Sequence, residues 1–223
     1  MKPNLFLYYN FNKNTSNDFK KEMYYNIIKW NIFNKDNFNI KFYDNNTATK
    51  LLSDNNNLRV LKAFNKCKVN TMKADILKYY LLSKYKNSIY IDSNFIPNSK
   101  ITLDNPLLLN NKNKLNTVSP CFKKKNYRIN NAILSNFNNK MYIFSNLLHT
   151  GVYNILNNKY MNTQYGAISK IIGPMLYQKI LEKEHYNIID FNDLVNKYKI
   201  IKTNKLRDPN YLHWSNINIK DYY

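Results

Sequence analysis

The chain of 223 residues carries 34 Lys and Arg against 14 Asp and Glu, and 44% of its residues are hydrophobic. This apolar fraction is enough for a buried core, so we expect one globular domain over residues 1–223 and exclude a disordered chain. No apolar run approaches the roughly 20 residues that span a bilayer, and Leu5–Tyr9 is too short for the core of a signal peptide. These two observations predict a cytoplasmic protein. Cys67 and Cys121 form no disulfide framework, which favours a reducing compartment.

The net charge of +20 predicts attraction to polyanions. Between Asn105 and Leu181 the chain has ten Lys and Arg and no acidic residue. Nucleic acid and the diphosphate of a nucleotide sugar would both respond to such a field. The densest cluster, Lys123–Lys125, is of a kind that usually lies in a solvated loop. Charge alone therefore leaves both classes of partner open, with nucleic acid the less favoured.

Strand and helix patterns alternate along the first half of the chain. The apolar run Leu5–Tyr9 predicts a buried strand, Asp18–Trp30 has the apolar spacing of an amphipathic helix, and Phe38–Tyr43 alternates as a second strand. Helices over 44–52, 58–64 and 70–86 and a third strand over 88–92 follow. This order predicts an α/β domain with a mainly parallel central sheet flanked by helices, whose ligand binds at the carboxyl ends of the strands.

The second half of the chain is less regular. A fourth strand is predicted over 131–137, a helix over 140–156, and another helix beginning at Gly173-Pro174, because proline is tolerated at the first helical position. His149 and His185 have no acidic partner at ligand spacing, so we interpret both as structural or surface residues. The sequence has no Walker loop, no dinucleotide-binding glycine motif and no nucleophile elbow, which excludes the common kinase, dehydrogenase and hydrolase classes.

The helix predicted over 70–86 carries the most informative polar residues. Asp75, Lys78 and Tyr79 stand at i, i+3 and i+4 and share one face, whereas apolar residues occupy the opposite, core-facing side. Asp92 ends the third strand, so its carboxylate is expected at the sheet edge where α/β ligands bind. Two simpler interpretations remain open: Asp75 could cap the first turn of the helix, and Lys78 could merely pair with it.

The same region resembles the DXD-containing glycosyltransferases of family 32, a group that includes mannosyltransferases. Their central motif has the form Ala-Asp-x-x-Arg-Tyr-x-x-Leu followed by Tyr-Gly-Gly-x-Tyr-x-Asp-x-Asp. Here residues 74–82 read ADILKYYLL and residues 85–94 read YKNSIYIDSN. Downstream, Ile172-Gly173-Pro174 is similar to the Thr-Gly-Pro of the family, and the segment 212–215, LHWS, is similar to its C-terminal His and Ser-Trp region.

The resemblance implies a GT-A type nucleotide-diphospho-sugar transferase fold. It also implies metal-assisted, retaining transfer of a sugar from a GDP- or UDP-sugar to a hydroxyl group on a glycan, lipid or protein. Its donor-binding positions fall on Asp75, Lys78, Tyr79, Asp92 and Asn94. By the same resemblance Asp92 and Asn94 would ligate Mn²⁺ or Mg²⁺. His213 is a further candidate ligand, although next to Trp214 it could instead be a packed C-terminal anchor. A retaining mechanism needs no strong general base, and we name no catalytic base.

The chain departs from the family motif at three places. Asn94 replaces the second aspartate, and an amide oxygen can ligate a hard cation but brings no charge, so the cation should bind less tightly. Lys78 replaces an arginine and so lacks its bidentate fork. Asn87-Ser88 replaces the glycine pair, and Asn tolerates the left-handed backbone that a turn can require. Two alternatives therefore stand beside the enzyme: an inactive glycosyltransferase-like binding domain, and a basic nucleic-acid-binding protein.

Overall fold

A six-stranded sheet forms the centre of the fold. The computed structural model describes residues 2–11, 15–101, 115–119, 130–137, 140–159, 167–182, 186–190 and 200–202. In chain order the elements are β1 (Asn4–Tyr8), α1 (Asn17–Asn34), β2 (Asn39–Tyr43), α2 (Asn45–Asp54), α3 (Leu58–Lys66), α4 (Asn70–Lys84), β3 (Ser88–Ile91), β4 (Phe95–Pro97), β5 (Leu115–Ser119), β6 (Asn130–Asn136), α5 (Met141–Leu156), α6 (Ala167–Ile171), α7 (Pro174–Leu181), β7 (Tyr186–Asp190) and β8 (Ile200–Lys202).

The strands of the central sheet lie in the order β2-β1-β3-β6-β5-β7. Strand β1 is parallel to both β2 and β3, and β5 is parallel to β7. Strand β6 is antiparallel to both of its neighbours, β3 and β5. Five of the six strands therefore point the same way, and the prediction of a mainly parallel sheet is confirmed. Strands β4 and β8 form a separate antiparallel pair.

Both faces of the sheet are covered, as the apolar composition of its inner strands requires. On one face Phe6, Tyr90 and Leu134 pack against α2 to α7. On the other face alternate residues of the same strands, such as Leu5 and Ile133, pack against α1. Alternation of side chains along each strand thus gives two cores from one sheet.

The predicted elements of the first half of the chain are confirmed, with ends that differ by a few residues. The largest difference is in α1, which continues past Trp30 to Asn34. Asn34 is buried there and its Oδ1 accepts a hydrogen bond from the backbone N–H of Ile101 at 2.8 Å. This hydrogen bond between Asn34 and the distant Ile101 favours a helix longer than the apolar spacing within α1 indicates.

The turn between α4 and β3 explains one departure from the family motif. Asn87 has a φ of 48°, in the left-handed region. Asn adopts that region more readily than most residues other than glycine. The expected tolerance of Asn at this position is therefore confirmed.

Within the described residues, the helices all fall short of the length and apolarity needed to cross a bilayer. The assignment of residues 1–223 to a single domain stays a prediction.

Candidate functional site

The polar residues predicted on α4 and at the end of β3 meet at the carboxyl edge of the parallel strands. Helix α4 packs against β1 and β3 on one side and against α5 on the other. Asp92 follows β3 directly, and its backbone N–H donates to the carbonyl of Ala132 at 2.8 Å, while its own carbonyl accepts from the N–H of Phe95 at 3.1 Å. The neighbouring strand and a tight turn therefore fix the backbone from which the Asp92 carboxylate projects.

Lys78 lies between two carboxylates. Its Nζ is 2.9 Å from Oδ1 of Asp75 and 3.2 Å from Oδ1 of Asp92. The side chains of Lys78 and Asp75 are only 1% and 9% exposed, whereas that of Asp92 is 34% exposed. The Lys78 ammonium also lies 5.0 Å from the centre of the Tyr90 ring. Of these three side chains only that of Asp92 is substantially exposed, so the buried Asp75–Lys78 pair contacts a residue that faces solvent.

The structure contradicts one of the two simpler interpretations, Asp75 as a helix cap, and agrees in part with the other, Lys78 as a partner of Asp75. Asp75 is the sixth residue of α4, whose N-cap is Val69, so the interpretation of Asp75 as a first-turn cap is wrong. Lys78 does pair with Asp75, but it pairs with Asp92 as well. Asp75, Lys78 and Tyr79, which share one face of α4, are all buried, and they connect the helix to the strand end rather than facing solvent.

Asn131, which the sequence analysis did not single out, completes this network. It lies near the start of β6 and is 5% exposed. Its Nδ2 donates to Oδ1 of Asp75 at 2.8 Å and to the Tyr79 hydroxyl at 3.0 Å. Tyr79 is fully buried, and its hydroxyl accepts this hydrogen bond instead of contacting solvent. Asn131 reaches this edge because β6 is reversed, which puts its start beside the end of β3.

Burial and charge set the protonation of the cluster. Burial raises the pKa of the Asp75 carboxyl to about 6, although the Lys78 ammonium and the Asn131 amide act in the opposite direction. Burial alone would lower the pKa of Lys78, but the carboxylates of Asp75 and Asp92 outweigh it and hold that pKa above its ordinary value. Lys78 is therefore a permanent cation at neutral pH. With both carboxylates ionised, the cluster carries one excess negative charge.

Asp92 and Asn94 offer oxygen atoms to a cation. The Oδ1 atom of Asn94 is buried and has no hydrogen-bond partner in the described part of the chain. Within that part, no group of three or more His, Cys, Asp and Glu side chains could hold a metal ion. Carboxylate and amide oxygens are ligand types that Mg²⁺ takes together with phosphate and water, and the predicted cation site at Asp92 and Asn94 stays a prediction.

The remaining predicted residues are distributed as follows. His149 is exposed on α5, in agreement with its interpretation as a surface residue. Gly173 is the N-cap of α7 and Pro174 its first residue, so the predicted helix start is confirmed. His185, His213, Cys121 and Lys123–Lys125 lie outside the described residues. Roles for His213 and for the lysine cluster stay predictions.

No protein-family model and no curated protein matches the chain. A solved structure named PaToxG glycosyltransferase is similar to it, with a TM-score of 0.53 and 16% sequence identity over 88% of this chain and 72% of that chain. This chain shares the fold of that structure. The likeness confirms the predicted GT-A type architecture and, at this identity, concerns the fold alone.

Proposed function

We propose that the chain is a glycosyltransferase that moves a sugar from a nucleotide-diphosphate sugar to a hydroxyl group. The observation that carries the proposal is the Asp75–Lys78–Asp92 cluster, which lies at the sheet edge where α/β proteins bind ligands. The fold shared with a glycosyltransferase supports it. The resemblance to family 32 supports a GDP- or UDP-sugar as donor, a glycan, lipid or protein as acceptor, and retention of configuration.

In this proposal Asp75 binds the donor sugar and Lys78 positions Asp75. In the described part of the chain both partners of Asp75 contact its Oδ1, so we assign Oδ2 to a sugar hydroxyl. A buried charged acceptor makes a stronger hydrogen bond than a solvated one. Lys78 is too deeply buried to reach far into the site, and it acts on the donor through the two carboxylates and through its charge.

Asp92 and Asn94 would hold Mn²⁺ or Mg²⁺. The bound cation would neutralise charge on the departing diphosphate. Asp92 already faces the Lys78 ammonium at 3.2 Å, so part of its charge is offset before a metal binds. Asn94 adds an oxygen without charge. The pair should therefore require a higher metal concentration than two carboxylates would.

The test combines donor binding with a metal titration. Thermal shifts against a panel of GDP- and UDP-sugars should identify the donor, since a ligand at about 100 times its Kd adds about 2.7 kcal/mol of stability. Hydrolysis or transfer of that donor is then measured against Mn²⁺ and Mg²⁺. Asp92→Ala should abolish activity, and Asn94→Asp should lower the metal requirement. The matched controls are Asp54→Ala and Asn98→Asp, both at exposed positions.

Two outcomes would contradict the proposal. If none of the nucleotide sugars produced a thermal shift, the protein would have no donor site. If Asp92→Ala were fully active in the presence of chelator, the activity would need no metal.

An inactive binding domain is the second candidate. It is favoured by the pairing of Lys78 with Asp92 and by the uncharged Asn94, which together leave little negative charge for a metal. Such a domain would show the thermal shift with a nucleotide sugar but no hydrolysis or transfer at any metal concentration. Restoration of activity by Asn94→Asp would identify the missing charge as the cause.

A further inference from the structure

Two asparagines stand in the buried face of α1. The buried residues of this helix follow one another at three and four residues, as one face of a helix does, and they are Phe19, Met23, Asn26, Trp30 and Asn34. Both asparagines are 0% exposed. An amide buried at such a position has to find hydrogen-bond partners, because an unpaired polar group in a core is costly. The partners of each amide therefore show which segment it holds in place.

Asn26 holds the turn that follows β3. Its Nδ2 donates to the carbonyl of Ser93 and to the carbonyl of Phe95, in each case at 3.0 Å. Only the NH₂ group of an amide can face two carbonyl acceptors, so these contacts fix the orientation of the side chain. The indole Nε1 of Trp30, about one helical turn further along α1, donates to the same Phe95 carbonyl at 3.2 Å. Helix α1 thus directs two donor side chains at one turn.

Asn94 lies between the two carbonyls that Asn26 binds. The register of β3 with β6 ends at Ile91, and β4 begins only at Phe95, so Asn94 belongs to neither strand. The hydrogen bonds from Asn26 span this residue on both sides. The backbone of Asn94 is therefore held from α1, on the opposite face of the sheet from α4.

We propose that Asn26 is a positioning residue for the candidate cation site, because its amide fixes the turn that carries Asp92 and Asn94. The inference rests on the proposed function, which assigns the cation to these two residues. The backbone of Asp92 is also anchored to β6 through Ala132, whereas Asn94 depends on Asn26. Metal ligands have to be held near their binding geometry by the residues behind them. Without the Asn26 amide, the buried Oδ1 of Asn94 loses its fixed position.

The simpler interpretation is that Asn26 only satisfies two carbonyls and contributes to stability. Asn34 is the matched control, because it lies on the same helix, is equally buried and holds a different segment. Its Oδ1 accepts from the backbone N–H of Ile101 at 2.8 Å. Asn26→Leu and Asn34→Leu should both lower stability in urea unfolding, because each leaves a backbone group without its partner. Only Asn26→Leu should disturb the turn after β3.

The first test is hydrogen exchange at the Phe95 amide, and it needs no metal. This amide donates to the Asp92 carbonyl at 3.1 Å, so its protection reports the order of the turn. Asn26→Leu should make its exchange about tenfold faster or more. Asn34→Leu should leave the rate within about twofold of the wild type. Comparison of the two variants removes the effect of a general loss of stability.

The second test is the binding of Mn²⁺ alone, measured by electron paramagnetic resonance of the free ion. Asn26→Leu should raise the half-saturating Mn²⁺ concentration about tenfold or more, and Asn34→Leu should leave it unchanged. Trp30→Phe removes only the indole donor from the Phe95 carbonyl. It should raise both the exchange rate and the half-saturating concentration by smaller factors, and it decides the question if Asn26→Leu fails to fold.

Two results would overturn this inference alone. One is exchange of the Phe95 amide at the wild-type rate in Asn26→Leu. The other is a half-saturating Mn²⁺ concentration that Asn26→Leu leaves unchanged, or that both leucine variants raise equally, since Asn26 would then act only in the core. Absence of Mn²⁺ binding in the wild type would overturn the cation site of the proposed function, and this inference with it.

Discussion

Replacement of Lys78 by methionine tests the electrostatics of the cluster most directly. Methionine keeps much of the length of lysine but removes the ammonium that lies 2.9 Å from Asp75 and 3.2 Å from Asp92. Asp75 would then keep the Asn131 amide as a donor. Removing one partner of a buried ion pair costs about 3–5 kcal/mol, because the remaining charge is buried without compensation.

We expect the lower end of that range, about 3 kcal/mol at pH 8. The Asp92 side chain is 34% exposed and can be solvated, and Asp75 keeps one hydrogen bond. For a chain of this size a loss of 1 kcal/mol lowers Tm by about 2–4 °C. Lys78→Met should therefore lower Tm by about 6–12 °C.

The pH dependence supplies a second signature. Burial raises the pKa of Asp75 to about 6 from an ordinary value of 3.8. Between these values the folded protein holds a proton that the unfolded chain has lost, so this group lowers stability as pH rises through that window. Without the Lys78 ammonium, the pKa of Asp75 in the folded protein rises further. The pH range over which stability falls then extends to higher pH. The penalty of Lys78→Met should thus be larger at pH 8 than at pH 5.5.

The assay is urea unfolding at both pH values for the wild type, Lys78→Met, Asp75→Asn and the double variant. Lys62→Met, at an exposed position on α3, is the control for loss of a lysine. The double variant should recover at least half of the loss, because it removes the uncompensated carboxylate. A penalty below about 1 kcal/mol at pH 8, or an equal penalty at the two pH values, would refute the assignment of Lys78 as a buried counter-ion.

Three further predictions concern single positions. Asp75→Asn should change stability by less than about 1 kcal/mol and yet weaken donor binding in calorimetry; unchanged donor affinity would remove Asp75 from the site. Asn87→Ala should cost about 1 kcal/mol in urea unfolding and Asn87→Gly almost nothing, because the backbone there is left-handed; equal costs would contradict the backbone argument. Gly173→Ala should destabilise more than Gly151→Ala, because its Cβ would lie 2.9 Å from a backbone carbon of α6, whereas at 151 it meets an isoleucine side chain that can move; the reverse order in Tm would show that the α6–α7 turn yields more easily.

The sequence was sufficient to predict the residues whose positions depend on local geometry. Asp75 and Lys78 share a helix face because the helical repeat fixes residues three and four apart, whatever surrounds the helix. Asp92 ends an apolar run, and the carboxyl end of a parallel strand lies at a known edge of the sheet. The left-handed turn at Asn87 likewise follows from local backbone preference.

The rest of the site depends on packing that no local pattern reveals. Asn131 is one of 43 asparagines, and nothing in its neighbours distinguishes it. Its contact with Asp75 exists because β6 is antiparallel, and the direction of a strand is set by its connections and partners. Strands β4 and β8 have only three residues each, too few for a period of two to be recognised. The burial of Lys78 could not be predicted from the sequence either, because a polar helix face has the same residue pattern whether it faces solvent or a core.

The reversed strand has a consequence for the order in which the site forms during protein synthesis. Asp75, Lys78 and Asp92 leave the ribosome together, but Asn131 follows about 40 residues after Asp92, or some 2–8 seconds later at ordinary rates of elongation. Until then the Asp75 carboxylate lacks its amide donor and the end of β3 lacks its neighbour. The nascent chain can therefore form the helices and strands of its first half before the site is complete.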